Sequence, residues 1–231
     1  MTVKADLHIH SCLSPCGDLS MSPRAVVERA VELGLDLIAL SDHNCALNLP
    51  ALETVCRRQN LACLFGIEAC TREEAHILLF FETCAQAQEM GEFIYRLLPE
   101  IPNIPEVTGD QVWVDADELI LGEAEKLLIS GADISLEDLL REVRRRGGLF
   151  IPAHIDRPVF SIPSQLGFLP NLDYDALEST VLPCPVPQYG LPVIQNSDAH
   201  YIEDIGKRWT AYEMEAPGFK GLKKALRKGR A

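Results

Sequence analysis

The stretch Asp6-Leu7-His8-Ile9-His10-Ser11 sets two imidazoles two residues apart in an apolar setting. In a β-strand the side chains at i and i+2 point to the same face. His8 and His10 could therefore grip one cation side by side, with Asp6 one step deeper on that face. The spacing recurs far along the chain as Asp198-Ala199-His200. Between the two pairs lie Ser41-Asp42-His43-Asn44, Gly66-Ile67-Glu68, His76 and Pro152-Ala153-His154. Each of these has a plainer alternative: His76 could be a satisfied, partly buried histidine, and Glu68 could cap the element that follows it. Together they put every histidine of the chain, with Asp42, Glu68 and Asp198, in or at the ends of apolar runs. Imidazole with carboxylate is a donor set suited to zinc, manganese or iron.

The runs that carry these groups read as strands alternating with helices. Residues 3–9 form the first strand, and Ser22-Pro23 then caps a helix whose stripe of Val26, Val27, Ala30 and Leu33 stops at Gly34. Residues 35–40 are short and apolar, as in a strand buried on both faces, and deliver Asp42 and His43 at their end. A helix over 49–59, a strand over 61–67 ending in Glu68, a strand over 75–81 and a helix over 84–98 follow. Prolines 99, 102 and 105 close that helix. A hairpin of 111–115 with 118–121 then makes a small insertion around residues 105–131. Ser135 opens a helix ending at Gly147-Gly148, and strands at 149–153, 176–180, 192–196 and 208–214 complete the set before a basic helix. In parallel α/β architectures the active site gathers at the C-terminal ends of strands, which is where the polar clusters fall.

With 231 residues, 47% of them hydrophobic, the chain can bury one sizeable core, and it reads as a single domain over 1–231. There is no run of about 18 apolar residues and no apolar export signal at the start, so the expectation is a cytoplasmic protein with no membrane partner. The eight cysteines (12, 16, 45, 56, 63, 70, 84 and 184) then read as reduced thiols rather than a disulfide framework. A net charge of −13 argues against tight duplex nucleic-acid binding, which draws on Lys and Arg meeting phosphates. The local exception is the run Lys220, Lys223, Lys224, Arg227, Lys228 and Arg230, read as the solvated face of a last helix.

The ordered motifs from Asp6-Leu7-His8-Ile9-His10-Ser11 through Ser41-Asp42-His43-Asn44, Gly66-Ile67-Glu68, His76 and Pro152-Ala153-His154 to Ser197-Asp198-Ala199-His200 resemble those of the PHP family, named for polymerase and histidinol phosphatase. The resemblance spans residues 6–200. It implies an α/β fold, a distorted (β/α)7 TIM-like barrel with a trinuclear metal site in its mouth. By that resemblance His8, His10, Glu68 and Asp198 hold one ion, Glu68 bridges to a second held by His76 and His154, and Asp18, His43 and His200 hold a third. Many members of the family place an Asp-Gly pair sooner after the second histidine. Here the loop is longer and contains Cys12 and Cys16, so a thiolate in place of the Asp18 carboxylate and ordinary reduced loop cysteines both stay open. Asp42, next to His43 and facing the other way on a strand, reads as a residue that orients an imidazole.

Two to three divalent ions (Zn, Mn or Fe) close together would generate a hydroxide at neutral pH and neutralise a phosphoryl group under attack. The expected activity is hydrolysis of a phosphomonoester or nucleotide, with a small phosphorylated molecule as substrate. An exonuclease trimming short oligonucleotides is the alternative, and a non-catalytic PHP binding module the third. Arg157, Lys207 and Arg208 follow His154 and His200 closely enough to grip phosphate, with surface salt-bridging an equal alternative for each.

Overall fold

The computed structural model describes residues 1–229; Arg230, the last residue of the basic run, lies outside the described residues. The elements are β1 (Thr2–Ile9), α1 (Pro23–Glu32), β2 (Leu37–Leu40), α2 (Leu49–Gln59), β3 (Ala62–Cys70), β4 (His76–Phe81), α3 (Cys84–Leu97), α4 (Pro105–Thr108), β5 (Val112–Val114), β6 (Ile120–Glu123), α5 (Leu136–Arg145), β7 (Leu149–Pro152), α6 (Ile162–Leu166), β8 (Leu177–Glu178), β9 (Val193–Ile194), β10 (Thr210–Glu213) and α7 (Phe219–Lys228).

Six strands form one curled, mixed sheet in the order β10-β1-β2-β3-β4-β7, and β8 pairs with β9 in parallel. Single hydrogen bonds carry the circuit onward where the ladder stops. Asp175 N donates to Phe150 O and Ile155 N to Glu178 O, while His10 N donates to Ala199 O beside a parallel Ile9–Ala199 bridge. Strand positions thus follow one another around a curled half-barrel, continued beyond the six-stranded sheet by the two-residue strands β8 and β9. Strict β/α alternation fails at β3–β4, which run antiparallel with only a short turn between them. The failure matters to function, because an antiparallel β4 begins at the rim where its parallel neighbours end, and its first residue is His76.

The alternating faces of these strands enter two cores. Leu37, Ala39, Leu78, Phe80, Leu149 and Ile151 pack inward together with Phe219, Leu222 and Leu226 of α7. Ile38, Leu40, Ile77, Leu79, Phe81 and Phe150 pack outward against α1, α2, α3 and α5. Strands this apolar on both faces are what 37–40, 76–81 and 149–152 spell. The helix starts follow the capping residues: Ser22 accepts from Ala25 N, Thr83 forms a capping box with Gln86, and Ser135 accepts from Asp138 N.

The hairpin β5–β6 lies across the loop after β1, with Val112 N donating to Cys12 O and Asn48 Oδ1 accepting from Val114 N. Helix α7 packs beside the start of β1, where Met1 N donates to Met214 O. Its basic side chains Lys220 and Lys224 pair with Glu82 and Glu215. That places the basic face roughly 20 Å from His8, the length of strand β1 at about 3.3 Å per residue. Among the described residues no helix is long and apolar enough to cross a membrane.

Asp6 does not join the histidine face. The β1–β2 register shifts between Asp6 and Ile9, so positions on either side of the shift no longer share simple alternation. Asp6 is fully buried and ties the loop after β9 to β1, accepting from Ser197 N at 3.0 Å and Gly206 N at 2.9 Å. Burial pushes its carboxyl up to about 6, so at neutral pH it still presents two acceptor oxygens. Asp6→Asn would turn an NH2 toward one of these N–H groups. Urea unfolding at pH 7 should show about 2–4 kcal/mol lost, and an unchanged midpoint would contradict this role.

Candidate metal centre

The strand ends bring all six histidines together around Glu68. Its Oε1 lies 3.3 Å from His8 Nε2, 3.0 Å from His76 Nδ1 and 3.1 Å from His154 Nε2. Its Oε2 lies 3.4 Å from His10 Nε2 and 3.1 Å from His43 Nδ1. Glu68 is inside β3 rather than after it, because β3 continues to Cys70 in register with β4. Asp198 Oδ1 is 3.3 Å from both His8 Nε2 and His10 Nε2, so the two spaced pairs face each other. His200 stacks on His10 at 4.3 Å between ring centroids. Asn44, His154 and Asp198 take positive φ angles of 51°, 28° and 54°. Such backbone is uncommon outside glycine, although Asn, Asp and His adopt it more readily than most residues, and it is held here at the rim by its surroundings.

The tautomers follow from the outer partners. His8 Nδ1 lies 3.1 Å from both oxygens of Glu178 and so carries the hydrogen. His10 Nδ1 lies 2.9 Å from Ser14 Oγ, whose own hydrogen goes to Asp42 Oδ1 at 2.7 Å. His10 Nδ1 must then be the donor. Both Nε2 atoms are left as lone pairs, 3.2 Å apart, each facing the Asp198 carboxylate. Lone pairs in such an arrangement repel unless positive charge sits among them. A point about 2 Å from all three atoms exists, the length of a zinc–nitrogen or zinc–oxygen bond. The residues therefore fit a divalent cation. Groups able to hold one are His8 with His10 and Asp198; His43 with Glu68 and His76; and His10 with Cys16, His43 and His200.

The electrostatics agree. Burial alone would lower the His8 imidazole, yet Glu178, Asp198 and Glu68 hold it well above its ordinary value. Burial likewise opposes the rise at His10, which Asp198 and Glu68 drive. Glu68 is held well below the usual carboxylate range by His76, His8 and His43 against the pull of burial. Burial pushes His43 far down, and His200 down to about 4 with His10 adding to it. The buried carboxylates thus draw in positive charge, and where protons would otherwise supply it a metal ion can.

Some expected residues lie elsewhere. Asp18 is exposed and its carboxylate accepts from Ser20 N at 2.9 Å, so it does not reach the cluster. The reason is loop geometry. Ser14 N donates to Ser11 O and Gly17 N to Ser14 O, and these consecutive turns keep Cys16 exposed at the mouth with its sulfur within 4.8 Å of donor atoms of His10, His43 and His200, while Asp18 N is tied to His200 O at 2.9 Å. Gly17 is required there, since a Cβ would stand 2.4 Å from Ser11 O. Cys12, buried at 2% exposure, packs with Val112 and Val114 instead. Lys207 pairs with Asp204, and Arg208 spends its guanidinium on the carbonyls of Asn196 (3.1 Å) and Ser197 (2.7 Å). In this arrangement both side chains are paired with neighbouring loop residues and away from the imidazole cluster. Arg157 does reach the mouth, paired with Asp198. Asp42 touches no imidazole directly and acts on His10 through Ser14.

Sequence reasoning missed Glu178. It is 2% exposed and accepts from His8, from His154 N at 2.8 Å and from Asn196 Nδ2 at 2.8 Å. The detectable sign was a carboxylate inside the apolar strand 176–178. Phe160, stacked on His76 at 4.8 Å and 14° with φ of 56°, had no such sign.

A curled mixed sheet with imidazoles and carboxylates converging at one rim defines an α/β protein built to hold metal. The PHP-domain family model matches residues 6–143, and a PHP-associated model matches 187–231. The chain belongs to the PHP family. The lesion-specific endonuclease EndoQ from Pyrococcus furiosus is similar with a TM-score of 0.70 at 20% identity, over 99% of this chain and 56% of its own. An endonuclease Q complex with a 27-mer duplex carrying an abasic lesion gives 0.69 at 19% identity, over 99% and 57%. A candidate metal-dependent phosphoesterase from Bifidobacterium adolescentis gives 0.63 at 16% identity, over 97% and 96%. At these identities the likeness is one of fold, and this chain spans just over half the length of the endonuclease Q structures. No curated protein matches the chain significantly by sequence.

Proposed function

We propose that this chain is a metal-dependent phosphoesterase whose substrate is a small phosphomonoester or nucleotide. The observation that carries the reading is Glu68, with two oxygens 3.0–3.4 Å from five imidazoles, the environment of a carboxylate bridging cations. In this reading His8, His10, Glu68 and Asp198 hold one ion, and Glu68, His76 and His154 a second. His43 and His200 face a third position, for two to three ions of zinc, manganese or iron. Bound divalent ions would supply Lewis acidity toward a phosphoryl oxygen and lower the pKa of water. The chain's own groups do the rest. Glu178 fixes the tautomer of His8, and the Asp42–Ser14 pair fixes that of His10. Arg157, beside Asp198, offers charged N–H donors to phosphoryl oxygens at the mouth. Eight unpaired cysteines accord with a reducing, cytoplasmic setting.

A nuclease reading draws on the fold shared with endonuclease Q. Against it stand the net charge of −13 and a basic face at the opposite end of β1. A panel of phosphomonoesters, short single-stranded oligonucleotides and a duplex with an abasic site, each with Mn or Zn, separates the readings. Phosphate release without chain shortening supports the first; strand cleavage without phosphate release replaces it; neither activity returns the chain to a binding module.

Glu178→Gln tests the outer partners. An amide would turn one NH2 toward His8 Nδ1–H or His154 N–H, loosening the ring orientation. Metal affinity should fall about 10–100-fold in a chelator-competition titration, and an unchanged affinity would count against the tautomer argument.

A further inference from the structure

We propose that Cys16, as a thiolate, is the third protein ligand of the metal position faced by His43 and His200, giving that position two nitrogen donors and one sulfur within an otherwise nitrogen–oxygen centre. The inference rests on the metal-centre reading above and adds the identity of one ligand and the metal class it selects. Donor atoms of His10, Cys16, His43 and His200 lie within 4.8 Å of one another. His10 Nε2 already faces His8 Nε2 and Asp198 Oδ1 at 3.2 and 3.3 Å, and one nitrogen serves one ion. Cys16, His43 and His200 remain. His200 Nδ1 donates to Asp198 O at 2.9 Å, so its Nε2 carries the lone pair. His43 is 3% exposed, and its Nδ1 is buried without a hydrogen bond, a polar atom left for a ligand that the protein itself does not supply.

The loop is shaped for this. Two successive turns and the obligatory Gly17 hold the sulfur of the exposed Cys16 beside the imidazoles, whereas the Asp18 carboxylate is turned out to Ser20 N. Cys12 is packed under the hairpin, hydrogen-bonded at 3.6 Å to Asn48 Nδ2. Three protein ligands leave a fourth position open, the pattern of catalytic rather than structural zinc sites. A thiolate also discriminates: it favours zinc and other thiophilic ions over magnesium or manganese at that position, while the neighbouring positions keep their tolerance for harder ions.

Cobalt substitution of the full chain tests this without reference to activity. Wild type reloaded with Co(II) should show weak visible ligand-field bands together with an intense sulfur-to-cobalt charge-transfer band in the near ultraviolet. Cys16→Ser and Cys16→Asp should lose the charge-transfer band and keep the ligand-field bands, while Cys12→Ser keeps both. Zinc X-ray absorption on wild type, which needs no variant, should show a sulfur neighbour at about 2.3 Å. Ligand-field bands with no charge transfer and no sulfur neighbour in wild type would overturn the Cys16 assignment and leave the metal centre standing. Charge transfer that persists in both Cys16 variants would overturn it in favour of another thiol. Failure to bind cobalt at all would overturn the assignment and the metal centre together.

Discussion

Replacing Glu68 by Gln should strip the protein of bound metal and reduce phosphate release at least about 10³-fold, the ~4 kcal/mol within reach of cation stabilisation at a phosphoryl centre. The size of the effect comes from geometry. No other side chain of the cluster meets five imidazoles, and its two oxygens divide them, His8, His76 and His154 on Oε1 and His10 and His43 on Oε2. An amide keeps the volume but removes the charge and turns one acceptor into a donor. It would point hydrogens at imidazole lone pairs that a cation needs. Elemental analysis beside a phosphatase assay checks this. A variant with its full metal complement and wild-type turnover would refute the bridging role, and with it the proposal.

Removing metal by chelation should lower the thermal midpoint by about 10–20 °C. Two ions, each at about 100 times its dissociation constant, contribute about 5 kcal/mol in all, and a domain of this size shifts by roughly 2–4 °C per kcal/mol. The gap should also widen with pH. In the metal-free chain His8 and His10 are raised above the ordinary 6.5 because Glu178, Asp198 and Glu68 outweigh burial. A raised imidazole contributes stability that is fully present below 6.5 and is lost as pH rises through its folded value. His43 and His200 are lowered, so their contribution runs the other way, present above 6.5 and lost as pH falls toward the folded value. Above 6.5 the loss at His8 and His10 therefore governs the metal-free chain. Metal binding strengthens over the same range, since its ligands must be deprotonated. Differential scanning calorimetry at pH 6.5 and 8.5, with and without chelator, measures both curves. A gap that narrows at the higher pH would contradict this charge balance.

The aromatic contact at His76 shows how far local pattern can reach. Nothing about Phe160 in sequence distinguishes it from a loop residue, yet its carbonyl accepts from His76 N at 2.8 Å and its ring covers the imidazole. Both contacts depend on the loop after β7 folding back over the start of β4, a long-range event with no periodic trace.

By itself the sequence determined which residue types would converge and on what scaffold. The apolar runs at 35–40, 75–81 and 149–153 read as short strands from their length and bounding residues, and polar residues at the rim of such strands meet when the sheet curls. That is why His8, His10, His43, Glu68, His76, His154, Asp198 and His200 were legible as one group. Only the tertiary structure decided the rest. It ran β4 antiparallel, used the turns around Gly17 to set Cys16 beside the imidazoles and turn Asp18 away from them, and took Lys207 and Arg208 for local pairing. It also put Glu178 behind His8. The last of these depends on a hydrogen bond between segments far apart in the chain, 170 residues in the case of His8 and Glu178. Periodicity records the face a side chain takes on its own element, and carries no information about which distant group that face will meet.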